Sequence, residues 1–471
     1  MSEGAGYVED KQAVLSASPG PAERAMEAAT AIGPTVARRP AGSPPAVPLP
    51  RSVQTARFMV RPVPFFEHWR RQLGETFSAR LFGPGDVVFV SDPESIKRLF
   101  SADRVNTIAP GRNIILRPLL GPQSLLRQEG EEHLKRRRLM LPPFHGERMR
   151  AYEQTIAEVT EAELASWPAG EPFALHPSMQ AITLEVIMRA VFGVSDPARR
   201  DALREGLAAV LAESASPAAI GLTVGALRRL PRYRRFARYT ERVDRLLAQE
   251  VAERRRDPEL GSREDILSML VAAEFDDGSR MGDVELRDQL MTLLLAGHET
   301  TATALAWSLD LLLHSPPVLE RLLAELETGD GEYLDAVITE ALRLRPVVPI
   351  TGRLLREPAE LGGFEHRPGT VILAAIYMAH TNAETFPDPF AFLPERFLAE
   401  APGTYSWIPF GGGTRRCIGA AFALLELRVA LSTILRSVSL EPADPRPEPM
   451  ERRNVTLSPA RGTRVVARPL A

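Results

Sequence analysis

Phe410-Gly411-Gly412-Gly413-Thr414-Arg415-Arg416-Cys417-Ile418-Gly419 holds the only cysteine of the 471-residue chain, and it runs straight into an apolar stretch, Ala420 to Leu435, with helical spacing. A lone thiol forms no internal disulfide and no multi-cysteine zinc site. The glycines let the backbone approach a flat macrocycle and turn its N–H groups toward the sulfur. A helix that starts at Ala420 brings its positive end near Cys417, and Arg415 and Arg416 add charge beside it; both favour an ionised sulfur. These are the needs of a thiolate that ligates haem iron. A solitary cysteine is more often a buried, inert side chain, so the argument for ligation rests on the surrounding ten residues.

This stretch resembles the haem-binding loop of the cytochrome P-450 family, Phe-x-x-Gly-x-Arg-x-Cys-x-Gly. Phe410, Gly413, Arg415, Cys417 and Gly419 match every fixed position. The resemblance implies a mainly α fold with small β-sheets (α+β), a long central helix over the haem and the cysteine loop beneath it. Cys417 would be the axial iron ligand, with Phe410, Gly413 and Gly419 shaping the loop around haem b (iron protoporphyrin IX).

The remaining chain agrees with that class. Hydrophobic content of 44% and charged content of 25% are those of a globular protein, and a net charge of −3 gives no electrostatic case for nucleic acid. One cysteine suits a reducing cytoplasm. Residues 1–50 are rich in Ala, Pro, Gly and Ser and read as a mobile tail and proline lead-in, with neither a bilayer-spanning run nor a signal-peptide core. Residues 51–471 read as one catalytic domain. Membrane-bound members of the family carry an anchor helix ahead of it, so a soluble, bacterial-type, cytoplasmic monomer is expected. Apolar residues recur at helical spacing from Arg148 to Arg345, whereas strand-like runs are few: Phe77 to Leu81, Val87 to Val90, Val371 to Ile376 and Thr463 to Ala467. The basic patch Arg228 to Arg235, around Pro231, reads as a loop between surface helices.

Asp283 as N-cap and the stop Ser315-Pro316-Pro317 bracket a helix of about thirty residues, about 45 Å long. Its middle is apolar on nearly every face, as in a helix through the interior of a large domain. Within it lies Ala296-Gly297-His298-Glu299-Thr300-Thr301. Gly297 weakens the helix, and Thr300 can bond the Ala296 carbonyl, which makes a local opening in the ladder credible. The residues alone fit equally a buried, paired glutamate and a threonine that packs. The hexapeptide is similar to the family's oxygen-binding motif, which implies that Glu299 and Thr300 supply and position protons during oxygen activation; His298 is left to packing.

Glu340 and Arg343 lie three apart on one helical face, and Arg396 sits in Pro394-Glu395-Arg396-Phe397. By resemblance these three form the network that holds the cysteine side. Haem propionates need cationic partners; the family's positions for them match His133, Arg137, Arg353 and Arg415. Lys135, Arg136 and Arg138, with Arg416 and Arg428, would form a basic docking patch for an acidic ferredoxin. The substrate pocket should take Leu293 and Ala296 from the long helix, Val348 and Ile350 from the proline-rich turn, Val455 and Thr456 from a C-terminal tip, and the loop Val105 to Leu120 with Arg112 and Arg117. The segment Gly221 to Arg235 should border the access channel. Mostly aliphatic, these positions imply an apolar guest.

Together these readings imply a haem-thiolate monooxygenase that hydroxylates a lipophilic small molecule, a terpenoid or fatty acid of secondary metabolism, with one atom of O2. Electrons would come from NAD(P)H through a ferredoxin reductase and a ferredoxin. Two alternatives use the same fold: a peroxide-dependent peroxygenase, against which Glu299 and Thr300 speak, and a non-catalytic haem gas sensor or carrier.

Overall fold

Five short strands rich in aromatic and β-branched residues build one sheet. In the computed structural model these are Phe77–Leu81 (β1), Gly85–Val90 (β2), Thr107–Ile108 (β3), Thr351–Leu355 (β4) and Val371–Ala374 (β7), and the hairpin of Ala359–Leu361 (β5) with Phe364–His366 (β6) stands apart. The structure describes residues 42–103, 107–108, 120–146, 148–194, 196–215, 231–329 and 331–470. The sheet order is β1-β2-β7-β4-β3, antiparallel except where β2 runs parallel to β7. Helices Arg51–Val60 and Pro62–Leu73 supply Phe58, Phe65 and Phe66, whose rings meet Phe77 and Phe89 of the sheet at mostly steep angles. Phe66, Phe77 and Phe89 have no exposed surface, and each contributes about 1.5–3 kcal/mol by burial.

The chain forms two compact units. The sheet belongs to the first, which comprises the residues up to Gly111 with Ile350–Ala379; Arg112–Pro349 with His380–Ala471 form the second. The sequence had suggested one catalytic domain behind a mobile lead-in. Part of that lead-in is instead folded: Ser78 N–H donates to Pro45 O at 2.8 Å, Val47 N–H to Ser78 O at 2.9 Å, and Gln54 Nε2 to Leu49 O at 2.6 Å. The prolines leave alternate backbone groups free for β1 to use.

The second unit is helical. Its longest helix, Asp283–Leu313, packs against Leu175–Ile187, Glu332–Leu344 and Ala420–Ser437 and is buried along most of its length. Its N-cap is Gly282, one residue ahead of the expected Asp283, whose carboxylate accepts instead from Arg255 Nε at 2.8 Å. It ends at Leu313, before Ser315 and the two prolines, as the sequence indicates. Among the described residues two small sheets complete the unit: Pro172–Ala174, Arg464–Pro469 and Val438–Pro442 in one, and the hairpin Met450–Arg453 with Thr456–Pro459 in the other. The latter is pinned to the long helix by Trp307 Nε1, which donates to Leu457 O at 2.8 Å.

Candidate active site

The cysteine loop is built around backbone that only glycine adopts without strain. Gly411 and Gly413 have φ of 66° and 67°, in the left-handed region where a β-carbon clashes with the backbone. A single 3-10 turn, Gly413–Arg415, follows, and Cys417 N–H closes the loop on Phe410 O at 2.9 Å. Gly419 caps the helix Ala420–Ser437, and its N–H is aimed at the sulfur.

The Cys417 side chain is exposed, yet the surrounding protein pushes its pKa up, against the pull of the Gly419 N–H, Arg137 and Arg416. A thiol that is both accessible and desolvated borders a recess, not open surface. Burial outweighs the Gly419 N–H and the arginines, so the free sulfur is held protonated, although the helix start and Arg416 pull toward the ionised form as the sequence indicates. A bound metal cation supplies the missing charge, because coordination deprotonates a thiol.

Arg137 answers the same recess. It is half-buried and makes no ion pair among the described residues. Burial lowers its pKa, Cys417 opposes this, and Arg416 adds to it. Four residues before it, His133 is buried on the same helix, Gly130–Met140. Arg415 donates to the carbonyls of Leu125, at 3.3 Å, and Gln128. A thiol with no disulfide partner and a guanidinium with no carboxylate are the donor set that haem iron and a propionate require. Among the described residues no cluster of three or more His, Cys, Asp or Glu side chains offers an alternative metal site.

The long helix supplies the acid and the alcohol. Leu286 to Leu294 and Thr301 to Leu313 are buried, but Ala296 between them is exposed. Thr300 Oγ1 donates to Ala296 O at 2.5 Å, as the sequence suggested. The ladder nevertheless remains unbroken from Asp283 to Leu313; the back-bond does not open the helix.

Glu299 turns toward a neighbouring helix, where its Oε2 accepts from Gln180 Nε2 at 2.7 Å. Its Oε1 has no hydrogen-bond partner and lies 3.7 Å from Arg453 Nε and 3.9 Å from His176 Nε2. Burial raises the Glu299 pKa, with Arg453 and Gln180 opposing. His298 packs, as expected, with Nε2 on Gln180 O at 3.1 Å. Sequence reasoning missed His176, Gln180 and Arg453, because nothing local links the helix Leu175–Ile187 or the strand Met450–Arg453 to residue 299.

Behind the loop, Glu340 and Arg343 are both fully buried. Arg343 Nε and Nη2 donate to the two Glu340 oxygens at 2.6 and 2.8 Å, and its remaining N–H groups reach the carbonyls of His380, Pro389 and Ala391. Arg396 Nε adds a contact to Glu340 at 3.2 Å. His380, unnoticed in the sequence, ties this network to the loop: its Nδ1 meets Arg343 O at 3.2 Å, and its Nε2 accepts from Ile408 N–H at 2.8 Å.

Other expected residues are placed less simply. Arg353 belongs to the first unit, where Asp103 binds it at 2.6 and 3.1 Å, both side chains being buried. Leu293 is buried, Val348, Ile350 and Val455 are half-buried, and the buried Thr456 donates its hydroxyl to Arg453 O at 2.8 Å. The basic patch is largely neutralised: Lys135 pairs with Asp277, Arg136 with Glu285, Arg138 with Asp276 and Arg428 with Asp335. Arg112, Arg117 and most of Val105 to Leu120 lie outside the described residues, as do residues 221–230 of the expected channel segment.

Comparison with known proteins bears on this arrangement directly. The family model "Cytochrome P-450" matches residues 42–466. A Mycobacterium tuberculosis protein named cytochrome P-450 135B1 is 41% identical over 91% of this chain and 92% of its own length. Another, named cytochrome P-450 137, is 39% identical over 91% of this chain and 92% of its own length. Among solved structures, retinoic-acid-bound cyanobacterial CYP120A1 superposes with a TM-score of 0.78 at 25% identity, covering 91% of this chain and 99% of that one.

Proposed function

The chain belongs to the cytochrome P-450 family, and from that premise we propose that it oxidises an unactivated C–H bond of a lipophilic small molecule, with Cys417, Glu299 and Thr300 as its working residues. Members of the family are haem-thiolate monooxygenases that take O2 and NAD(P)H-derived electrons delivered by partner proteins. When bound, haem supplies the oxygen activation that no side chain here can perform. Cys417 would hold its iron through the sulfur, and His133, Arg137 and Arg415 would be partners of its propionates, whereas Arg353 is engaged by Asp103. Phe410, Gly413 and Gly419 would shape the loop that receives it.

The observation that carries this reading is the exposed Ala296, with Thr300 bonded to it, in the middle of an otherwise buried helix. The small side chain leaves space against the helix, and the back-bond fixes where the Thr300 hydroxyl points. Glu299, its pKa raised by burial, retains a proton nearer neutrality than an ordinary carboxylate does. It can hold that proton one residue from the hydroxyl.

The guest is proposed to be a terpenoid or fatty acid. Support comes from the aliphatic character of Leu293, Val348, Ile350 and Val455, and from the retinoic acid held by the cyanobacterial relative. A ferredoxin with its NAD(P)H-dependent reductase is the proposed electron source. Arg416 is exposed beside Cys417 and contributes positive charge to that face. Among the described residues no helix is long and apolar enough to cross a membrane.

The test has two stages. Reduced, carbon monoxide-treated protein should absorb near 450 nm, and Cys417→Ser should lose that band. Ferric protein titrated with retinoids, monocyclic terpenes and long-chain fatty acids should then shift to high spin with one class. No band in the unsubstituted protein refutes the haem-thiolate assignment. Product formed with hydrogen peroxide but not with NADPH, ferredoxin and reductase would replace the monooxygenase reading with a peroxygenase.

A further inference from the structure

Gln289 has no exposed surface, and both ends of its amide are bonded to one loop. Its Oε1 accepts from Leu125 N–H at 3.0 Å, and its Nε2 donates to Gln123 O at 2.6 Å. The side chain offers that loop what a neighbouring strand would offer. Three further bonds follow the same stripe of the long helix. Gln123 N–H donates to Asp288 Oδ2 at 2.9 Å, the Ser124 and Thr292 hydroxyls meet at 2.7 Å, and Arg136 Nε donates to Glu285 Oε1 at 2.6 Å. Positions 285, 288, 289 and 292 recur at the three- and four-residue spacing of one helix face. At Gly121 the loop passes so close that a β-carbon would lie 1.9 Å from Asp288 Oδ1.

The other edge of the loop faces the cysteine. Leu125 O and Gln128 O are the carbonyls that receive the Arg415 guanidinium. The loop then enters the helix Gly130–Met140, whose N-cap Glu129 makes no side-chain cap bond. That helix carries His133 and Arg137 and follows directly from the loop.

We propose that Gln289 is a positioning residue for the haem grip: it fixes Gly121–Gln128, and through that segment it sets Arg415 and the His133–Arg137 helix. The helix that bears the acid and alcohol and the cations that receive the propionates are thereby one mechanical piece. The inference rests on the haem reading above.

The test uses holoenzyme and two substitutions at the site. Gln289→Leu removes both bonds at nearly constant volume, whereas Gln289→Glu keeps the acceptor but turns an oxygen toward the Gln123 carbonyl. Leu305→Ala is the control, being fully buried on the same helix and absent from the loop contacts. Haem transfer to excess apomyoglobin and the ratio of 450 to 420 nm carbon monoxide bands are measured alongside thermal stability. Loss of two buried hydrogen bonds predicts haem release about tenfold faster for Gln289→Leu, with a 420 nm fraction that Gln289→Glu also shows. Leu305→Ala should lower the melting temperature while releasing haem within about twofold of the parent rate. Equal release from Gln289→Leu and the parent overturns the proposal, as does release from Leu305→Ala as fast as from Gln289→Leu. If Gln289→Leu fails to accumulate, Thr292→Val takes its place; about threefold faster release supports the proposal, and parent-like release overturns it. A parent protein with no 450 nm band overturns the haem reading itself, before any variant is compared.

Discussion

Replacing Arg343 by leucine removes the guanidinium that both Glu340 oxygens face at 2.6 and 2.8 Å, in a pair with no exposed surface on either side. Glu340 would keep Leu393 N–H at 3.0 Å and Arg396 Nε at 3.2 Å, too little to replace a buried bidentate partner. The carbonyls of His380, Pro389 and Ala391 would lose a donor as well. Breaking one side of a buried pair costs about 3–5 kcal/mol, and each stranded carbonyl about 1 kcal/mol if water cannot reach it. A total of about 6–8 kcal/mol is therefore expected. With an unfolding entropy of about 2.1 cal/mol/K per residue over 471 residues, this lowers the melting temperature by roughly 6–8 °C. Because the lost Arg343 Nη1 also holds His380 O at 2.7 Å, and His380 Nε2 in turn accepts from Ile408 N–H, the carbon monoxide band should also move in part from 450 to 420 nm. The double variant Glu340→Gln with Arg343→Leu should be less destabilised than the sum of its parts by about 2 kcal/mol, since no carboxylate is then stranded. The assay is thermal and urea unfolding around this cycle. A single variant within about 1 °C of the parent, or an additive cycle, would refute the reasoning.

Thr300→Ala removes the hydroxyl bonded to Ala296 O and should bind substrate normally while diverting reducing equivalents into peroxide; unchanged coupling of NADPH use to product would remove Thr300 from the mechanism. Burial, more than any other cause, holds His176 and His298 at about 4 and His380 at about 3. Below the ordinary histidine value the unfolded chain takes up protons that the native protein refuses, so stability falls on acidification, by about 1.4 kcal/mol per pH unit for each group. Urea titrations from about pH 7 to about pH 5 should show that slope, and a flat profile would exclude it. Glu426 is the opposite case, since burial raises it to about 8. The native protein then holds a proton that the unfolded chain releases above about 4.5, so stability drains as pH rises toward 8. Glu426→Gln should raise the melting temperature more at about pH 8 than at about pH 5; an equal gain at both would show that Glu426 does not titrate in this range.

Motifs local in sequence were legible. The cysteine loop, the extent of the long helix, the Thr300 back-bond and the Glu340–Arg343 pair appear as expected, because each depends on residues within one turn or one tight loop. Strands of six residues or fewer were mostly missed: Thr351–Leu355 contains a glycine and an arginine, and Val438–Pro442 continues directly from a helix. What sequence could not supply was partnership across distance. Asp103 for Arg353, Arg453 and Gln180 for Glu299, and residues 123–125 for Gln289 are separated from their partners by more than one hundred residues. At Cys417 the pull of the helix start and of Arg416 toward an ionised sulfur was legible, while Arg137 and the burial that opposes them belong to the folded chain.

The order of parts along the chain bears on how the protein matures. Glu340, Arg343, His380, Arg396 and the Ile408 N–H that donates to His380 all precede Cys417. Every bond within that set is thus made by chain synthesised ahead of the sulfur. The helix Ala420–Ser437, which packs against Glu332–Leu344, comes after it, so the anvil is cast from chain on both sides of the point it supports.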